Sequence, residues 1–303
     1  MSIDGCNCGT RPRESFMLLA IDSYCYHRFF GDHYPWQPPA TRSMTIWDFL
    51  DRAKALGARG VSLESCYLPT DDKFQSQLRA RLDELGFERV WAWGHPRGLC
   101  SGTNTDAAED LIKHLGTAQA LGAKVMRIVG GSRQTRPASW DVHKRQLTSA
   151  LLPLIAAAEK HRVVLAMENH IDLLADEMVD LMSTINSPWL GVCLDTGNNL
   201  RMFEDPLVVA EKLAPWARAT HIKDLFVLPG NPREFSFWPS VPLGQGLVDI
   251  GKVVGYLARA KYEGLLAIEI DFLHPNFGDE DDAVAKSVEY LRQLLDDATV
   301  AAK

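Results

Sequence analysis

One arrangement recurs along this chain. A helical stretch ends near Leu-Gly, a short turn follows, and a run of apolar, strand-forming residues begins. Leu56-Gly57 leads into the run 61–64, Leu85-Gly86 into 90–93 and Leu121-Gly122 into 125–129. Other turns lead into 163–168, 190–195, 217–221 and 265–269, and with 16–21 these make eight strands. Helical patterns separate them at 45–57, 71–86, 106–121, 139–160, 175–185, 205–213 and 248–260, and a last one spans 280–297. Thr45 with Asp48 three residues on matches a capping box, and Gly57 is a helix stop. Consecutive parallel strands need crossover connections, so this alternation predicts an α/β fold with a parallel sheet. Eight such units close as a single (β/α)8 TIM barrel, here over 16–303 behind a flexible tail of 1–15. An open doubly wound sheet fits less well, because no Gly-x-Gly-x-x-Gly follows the first strand.

In such a barrel the reactive residues sit at the C-terminal ends of the strands. The run Val163-Val-Leu-Ala-Met-Glu168-Asn-His170 reads as a strand buried on both faces that ends in a carboxylate and an imidazole. Two residues apart on an extended backbone, Glu168 and His170 project to one side. The next three strands end in Asp195, His221 and Glu269. Glu168, Asp195, His221 and Glu269 on four successive strand ends form a candidate site for one divalent metal ion. Three carboxylates and one imidazole suit hard to borderline cations rather than a thiolate-type zinc site.

Further candidates for contact with a substrate lie at or just past strand ends: His27, Glu64, Trp93, His95, Arg127, Asn198 and Lys223. Several have a structural reading as well. Glu64 and Arg127 can pair with each other, and His27 can bond loop backbone. Lys223 can form a surface pair with Asp224 or face the pocket. His114, His143 and His161, in or beside helices, are expected to face solvent. Two long connections, 22–42 and 223–246, are rich in aromatics, among them Tyr24, Tyr26, Tyr34, Trp36, Phe226, Phe235, Phe237 and Trp238. Connections this long are uncommon unless functional or disordered, and aromatics are depleted in disorder. They are expected to form a lid over a ring-shaped ligand, with Trp238 against it, or else to cover the barrel end or a subunit contact.

Net charge is −7 and the pI about 5.7, without the basic footprint of a nucleic-acid binder. No apolar run approaches the length of a membrane span, and the first residues carry no hydrophobic signal core, so a cytoplasmic protein is expected. The six cysteines form neither a disulfide framework nor a Cys-x-x-Cys knuckle; Cys6 and Cys8 fall in the tail.

The motifs Met-Glu168-Asn-His, Cys-Leu-Asp195-Thr-Gly-Asn, Thr-His221-Ile-Lys-Asp and Ala-Ile-Glu269-Ile-Asp resemble those of the xylose isomerase-like TIM barrels, the sugar phosphate isomerases and epimerases, across roughly 16–297. The resemblance implies one bound divalent ion, manganese first, with magnesium, cobalt or zinc as alternatives. It also implies proton transfer next to the carbonyl of a sugar or keto-sugar, with Glu168 and Glu269 both binding metal and moving the proton. Two positions depart from the ketose 3-epimerase pattern: Asn198 stands where those enzymes have a substrate-binding histidine, and Val227 where they have an arginine. His170 and Tyr26-His27-Arg28 look more like the branch that includes C-glycoside deglycosidase catalytic subunits. That likeness implies β-elimination from a 3-keto-glycoside, with His170 as base or as acid. The partner expected on either reading is a small sugar or glycoside; a homo-oligomer or a small second subunit is compatible with both. A DNA-repair endonuclease on the same barrel would need more histidines and a basic face. A barrel that had lost its chemistry would not keep four ligands.

Overall fold

The computed structural model describes residues 17–301. Eight parallel strands close on themselves: β1 (Leu18–Asp22), β2 (Gly60–Glu64), β3 (Glu88–Ala92), β4 (Val125–Ile128), β5 (Val164–Glu168), β6 (Leu190–Asp195), β7 (Ala217–Ile222) and β8 (Leu265–Ile268), the last paired back to β1. Between and after them run α1 (Ile46–Ala55), α2 (Asp72–Leu85), α3 (Thr105–Leu121), α4 (Trp140–His161), α5 (Ala175–Ile185), α6 (Pro206–Leu213), α7 (Ile250–Arg259) and α8 (Glu280–Ala301). The structure is therefore the closed (β/α)8 barrel expected from the alternation. The tail 1–15, with Cys6 and Cys8, lies outside the described residues. Among the described residues no helix is long and apolar enough to cross a membrane.

The helix stops follow from local chemistry. The Thr45–Asp48 capping box opens α1. Gly86 and Gly122 close α2 and α3 at φ +68° and +74°, where a side chain would strain the backbone.

Strand residues alternate between two environments. Outward residues such as Leu19, Ile21, Leu165, Met167, Val192 and Leu194 pack against the helices in the main core. Inward residues are smaller, and Ala20, Val90, Ala166, Cys193, Ala219, Leu265 and Ala267 fill the barrel. Continuing each inward row by two residues puts Asp22, Glu64, Arg127, Glu168, Asp195, His221 and Glu269 at one end of the barrel. One irregularity helps to level them. Val192 pairs with Ala217 but Cys193 with Ala219, so β7 carries an extra residue, and Asp195 then faces His221 across the pair.

The same alternation corrects one expectation about β3. It begins at Glu88, two residues earlier than the apolar run suggested, and its inward row is Val90, Ala92 and Gly94. Trp91 and Trp93 point outward into the helical layer, where their indole nitrogens donate to His114 Nδ1 (3.1 Å) and Asp110 Oδ2 (2.8 Å). His143 is also corrected: it is completely buried, not solvent-facing, and neither ring nitrogen has a hydrogen-bond partner.

Candidate active site

The C-terminal mouth of the barrel opens into a cavity of about 490 Å³, within the range of small-molecule sites. Glu168 and Glu269 line it, and Glu168, Asp195 and His221, the last two buried and not among its lining residues, offer ligand atoms that all lie within 4.8 Å of one another. His221 Nδ1 is 3.7 Å from Glu168 Oε1, 3.8 Å from Asp195 Oδ2 and 3.4 Å from Glu269 Oε1.

The carboxylates of Asp195 and Glu168 are held from outside the cluster. Asp195 Oδ1 accepts the backbone N–H groups of Gly197 and Asn198, both at 2.8 Å. Glu168 Oε1 accepts from Asn198 Nδ2 at 2.8 Å, and its Oε2 is 3.4 Å from Arg127 Nε. Asn169, pointing the other way, ties the ends of β5 and β6 together through the main chain of Asp195. Asp195 Oδ2, Glu269 Oε2 and His221 Nδ1 are buried and make no aligned hydrogen bond. The ammonium of Lys223 is the nearest cation, 3.1 Å from Asp195 Oδ2, 2.7 Å from Glu269 Oε2 and 2.9 Å from Asp271 Oδ2.

These orphaned atoms and the charge balance fit a divalent cation. Asp22, Glu64, Glu168, Asp195, Glu269 and Asp271 are six buried carboxylates, set against the permanent cations Arg127, Arg201 and Lys223. Unpaired charge in such a place is costly, and a divalent ion offsets most of the excess. The carboxylates are not equivalent. Burial works against ionisation of Glu168, but His221 and Arg127 outweigh it and hold the group well below the usual carboxylate range. At Glu269 burial, reinforced by Asp195 and Glu168, prevails over His221 and Lys223 and pushes the group up to about 7. Two carboxylates driven apart in this way suit different duties in proton transfer.

Of the substrate-contact candidates, His95, Glu64, Arg127, Asn198 and Lys223 line the cavity, as does His170. Glu64 and Arg127 form a buried ion pair, and burial raises Glu64 to about 8 against the pull of Arg127. Lys223 and Asp224 are buried rather than a surface pair. Asp224 gathers the backbone N–H groups of Gly244, Gly246 and Val248 and so folds the long loop after β7.

Trp93, His27 and Trp238 are not among the cavity-lining residues. Trp93 faces outward because of its strand parity. His27 is 1% exposed and stacks behind Tyr24 with ring centroids 5.0 Å apart. Its Nδ1 lies 2.6 Å from the Asp32 carbonyl. Trp238 donates its indole N–H to the Pro232 carbonyl at 2.8 Å.

The lid aromatics that reach the cavity are Tyr24, Tyr34 and Phe235. Tyr34 and Phe235 meet at 4.8 Å across the two long loops. Arg201, absent from the sequence-based candidates, stacks on Phe235 at 4.3 Å and donates to Asn198 Oδ1 at 2.9 Å. Asp22 and Asp271 were missed as well. The two-residue parity of Leu18-Ala20-Asp22 and Ala267-Glu269-Asp271 carried a signal for both.

Comparison with known proteins adds a lineage. A family model described as xylose isomerase-like TIM barrel matches residues 50–294. Among characterised proteins, the chain is 27% identical over 174 residues to a 3-oxo-isoapionate decarboxylase of Pectobacterium atrosepticum, covering 57% of this chain and 58% of that protein. It is 26% identical over 257 residues to an inosose dehydratase of Clostridium tetani, covering 77% of this chain and 82% of the other. It is 30% identical over 203 residues to a 2-epi-5-epi-valiolone 7-phosphate 2-epimerase of an Actinoplanes species, covering 64% and 71%.

Proposed function

The chain belongs to the xylose isomerase-like TIM barrel family, and from that premise we propose that it is a divalent-metal-dependent enzyme that removes a proton next to the carbonyl of a sugar or keto-sugar, with the isomerase or epimerase outcome as the leading reading. The observation that carries the proposal is the convergence of Glu168, Asp195 and His221 at the C-terminal ends of three successive strands, with Glu269 3.4 Å from the same imidazole nitrogen. In this reading those four residues hold the ion, manganese being the metal expected. When bound, the ion supplies Lewis acidity toward a carbonyl oxygen and a neighbouring hydroxyl, which lowers the cost of removing the adjacent proton.

The chain's own groups do the rest. Glu269, the more basic carboxylate, takes the carbon-bound proton, and Glu168 at the end of β5 returns one. Lys223 sets a fixed positive charge beside Glu269 and stabilises negative charge that develops on substrate oxygen. The Glu64–Arg127 pair holds Arg127 against Glu168 and keeps that carboxylate ionised. Tyr24, Tyr34 and Phe235 wall off the cavity and exclude water from the reacting carbon.

One observation favours a second reading, β-elimination from a 3-keto-glycoside. His170 lines the cavity with Nδ1 3.2 Å from the Gly131 carbonyl. A carbonyl only accepts, so that contact puts the imidazole proton on Nδ1 and leaves Nε2 as a free base. The ketone acidifies the C2 proton, His170 removes it, and the C1 substituent leaves with its bonding pair. The kinship with an inosose dehydratase supports elimination chemistry on such a scaffold.

The test is an exchange experiment in deuterium oxide with manganese added, followed by NMR. Deuterium entering a free ketohexose next to its carbonyl, with an isomer appearing, supports isomerisation or epimerisation. Release of the aglycone from a 3-keto-glucoside without ketose exchange supports the lyase. Neither reaction from metal-loaded protein refutes both.

A further inference from the structure

β1 ends in a residue that the proposed reaction does not use. Asp22 is completely buried. Its Oδ1 accepts the Tyr24 backbone N–H at 2.7 Å, capping a short 3-10 turn, and this fixes the plane of the carboxylate. Its Oδ2 makes no hydrogen bond and points across the barrel at His221 Nε2, 3.5 Å away. That imidazole nitrogen is also buried and has no other partner. On the far side of the same ring, Nδ1 faces Glu168, Asp195 and Glu269. An isolated buried carboxylate is destabilising, and its presence there asks for a partner.

Resting on the metal reading above, we propose that Asp22 is a positioning residue for His221. It accepts the Nε2–H proton, fixes the ring orientation, and leaves Nδ1 unprotonated toward the three carboxylates. Metal-binding histidines commonly donate their remote N–H to a carboxylate in this way, which settles the tautomer and strengthens the ligand. Asp22 comes from β1, the strand opposite the ligand-bearing strands in chain order, so the centre is completed only when the barrel closes.

Two variants separate this role from the capping of Tyr24. Asp22→Ser keeps an N-cap oxygen but does not reach His221. Asp22→Asn keeps the cap with its carbonyl and turns an amide donor toward Nε2–H, donor against donor. The probe is Zn2+ alone, titrated into the full chain against a competing chelator. Both variants are expected to bind it about 10- to 100-fold more weakly than wild type, with the metal-free protein still folded. In zinc-loaded wild type, the His221 Nε2 proton should give a downfield NMR resonance that exchanges slowly with water, and both variants should lose it. Wild-type affinity in both variants, or an Nε2 proton in wild type that exchanges as fast as that of an exposed imidazole, overturns the positioning role alone. Failure of the wild type to bind zinc or manganese overturns the metal reading itself, and this inference with it.

Discussion

Replacing Lys223 by methionine tests the electrostatics of the cavity floor most directly. The ammonium lies within 3.1 Å of Asp195, Glu269 and Asp271, and all four groups are buried. Removing one member of a buried ion cluster leaves charge uncompensated, at a cost of ~3–5 kcal/mol in the metal-free protein. The carboxylates do not share that loss equally. Asp271 keeps Ser240 Oγ at 2.6 Å and Arg201 at 3.6 Å, whereas Glu269 Oε2 is left with no cation. In metal-loaded protein Asp195 and Glu269 regain a positive neighbour. What remains lost is mainly the charge-assisted hydrogen bond to Asp271, ~1.5–3 kcal/mol. A difference of ~2 kcal/mol between the two forms means, by linkage, that Lys223→Met binds the metal roughly 30-fold more tightly than wild type. Deletion of a charged residue therefore strengthens a binding site while weakening the fold around it. Urea unfolding in chelator and in manganese, together with calorimetric titration, measures both sides of this cycle. Metal affinity that falls in the variant, or a metal-free destabilisation below ~1 kcal/mol, would refute the view that Lys223 acts as an internal counter-ion for this centre.

Three other outcomes follow from the geometry. His170→Ala should lower aglycone release from a 3-keto-glucoside by about 100- to 10,000-fold while leaving zinc affinity within a few-fold; unchanged turnover would remove His170 from the chemistry. Trp93→Phe loses the indole bond to Asp110, about 1 kcal/mol of stability, yet should leave KM unaltered, and a KM change in steady-state assays would contradict its outward placement. His143 is buried beside Arg136, and burial first, then that charge, pushes it down to about 4. The unfolded chain therefore takes up this proton before the fold does, and stability falls as pH drops from about 6.5 toward 4, by up to roughly 3 kcal/mol. His143→Leu should flatten that part of the profile in denaturation measured from pH 7 to 4, and an unchanged slope would show that the imidazole does not titrate in this window.

The alternation of strand and helix, the number eight, and the strand-end residues Glu168, Asp195, His221 and Glu269 were all legible along the chain. Each depends on periodicity or on a local stop such as Gly86, and those act over a few residues. Parity along a strand is local too, and it already sorted Glu168 and His170 to one side. Parity has to be followed past the last paired residue, however: Trp93 continues the outward row of Trp91, and its place just past the end of β3 does not by itself turn it into the cavity. The same rule applied to β1 and β8 would have found Asp22 and Asp271.

Other features belong to the closed barrel alone. That Lys223 bridges three carboxylates, that Arg201 rather than Trp238 meets the cavity beside Phe235, and that His27 props Tyr24 from behind all depend on which loops meet over the mouth. Asp22 and His221 are 199 positions apart along the chain, and they become neighbours only when β8 pairs with β1. Sequence by itself determined which strand ends carry chemistry, because side-chain alternation and chain reversal are short-range. Tertiary structure decided which of those groups neutralise one another, because Coulomb interactions in a dry interior depend on distance through space rather than along the chain.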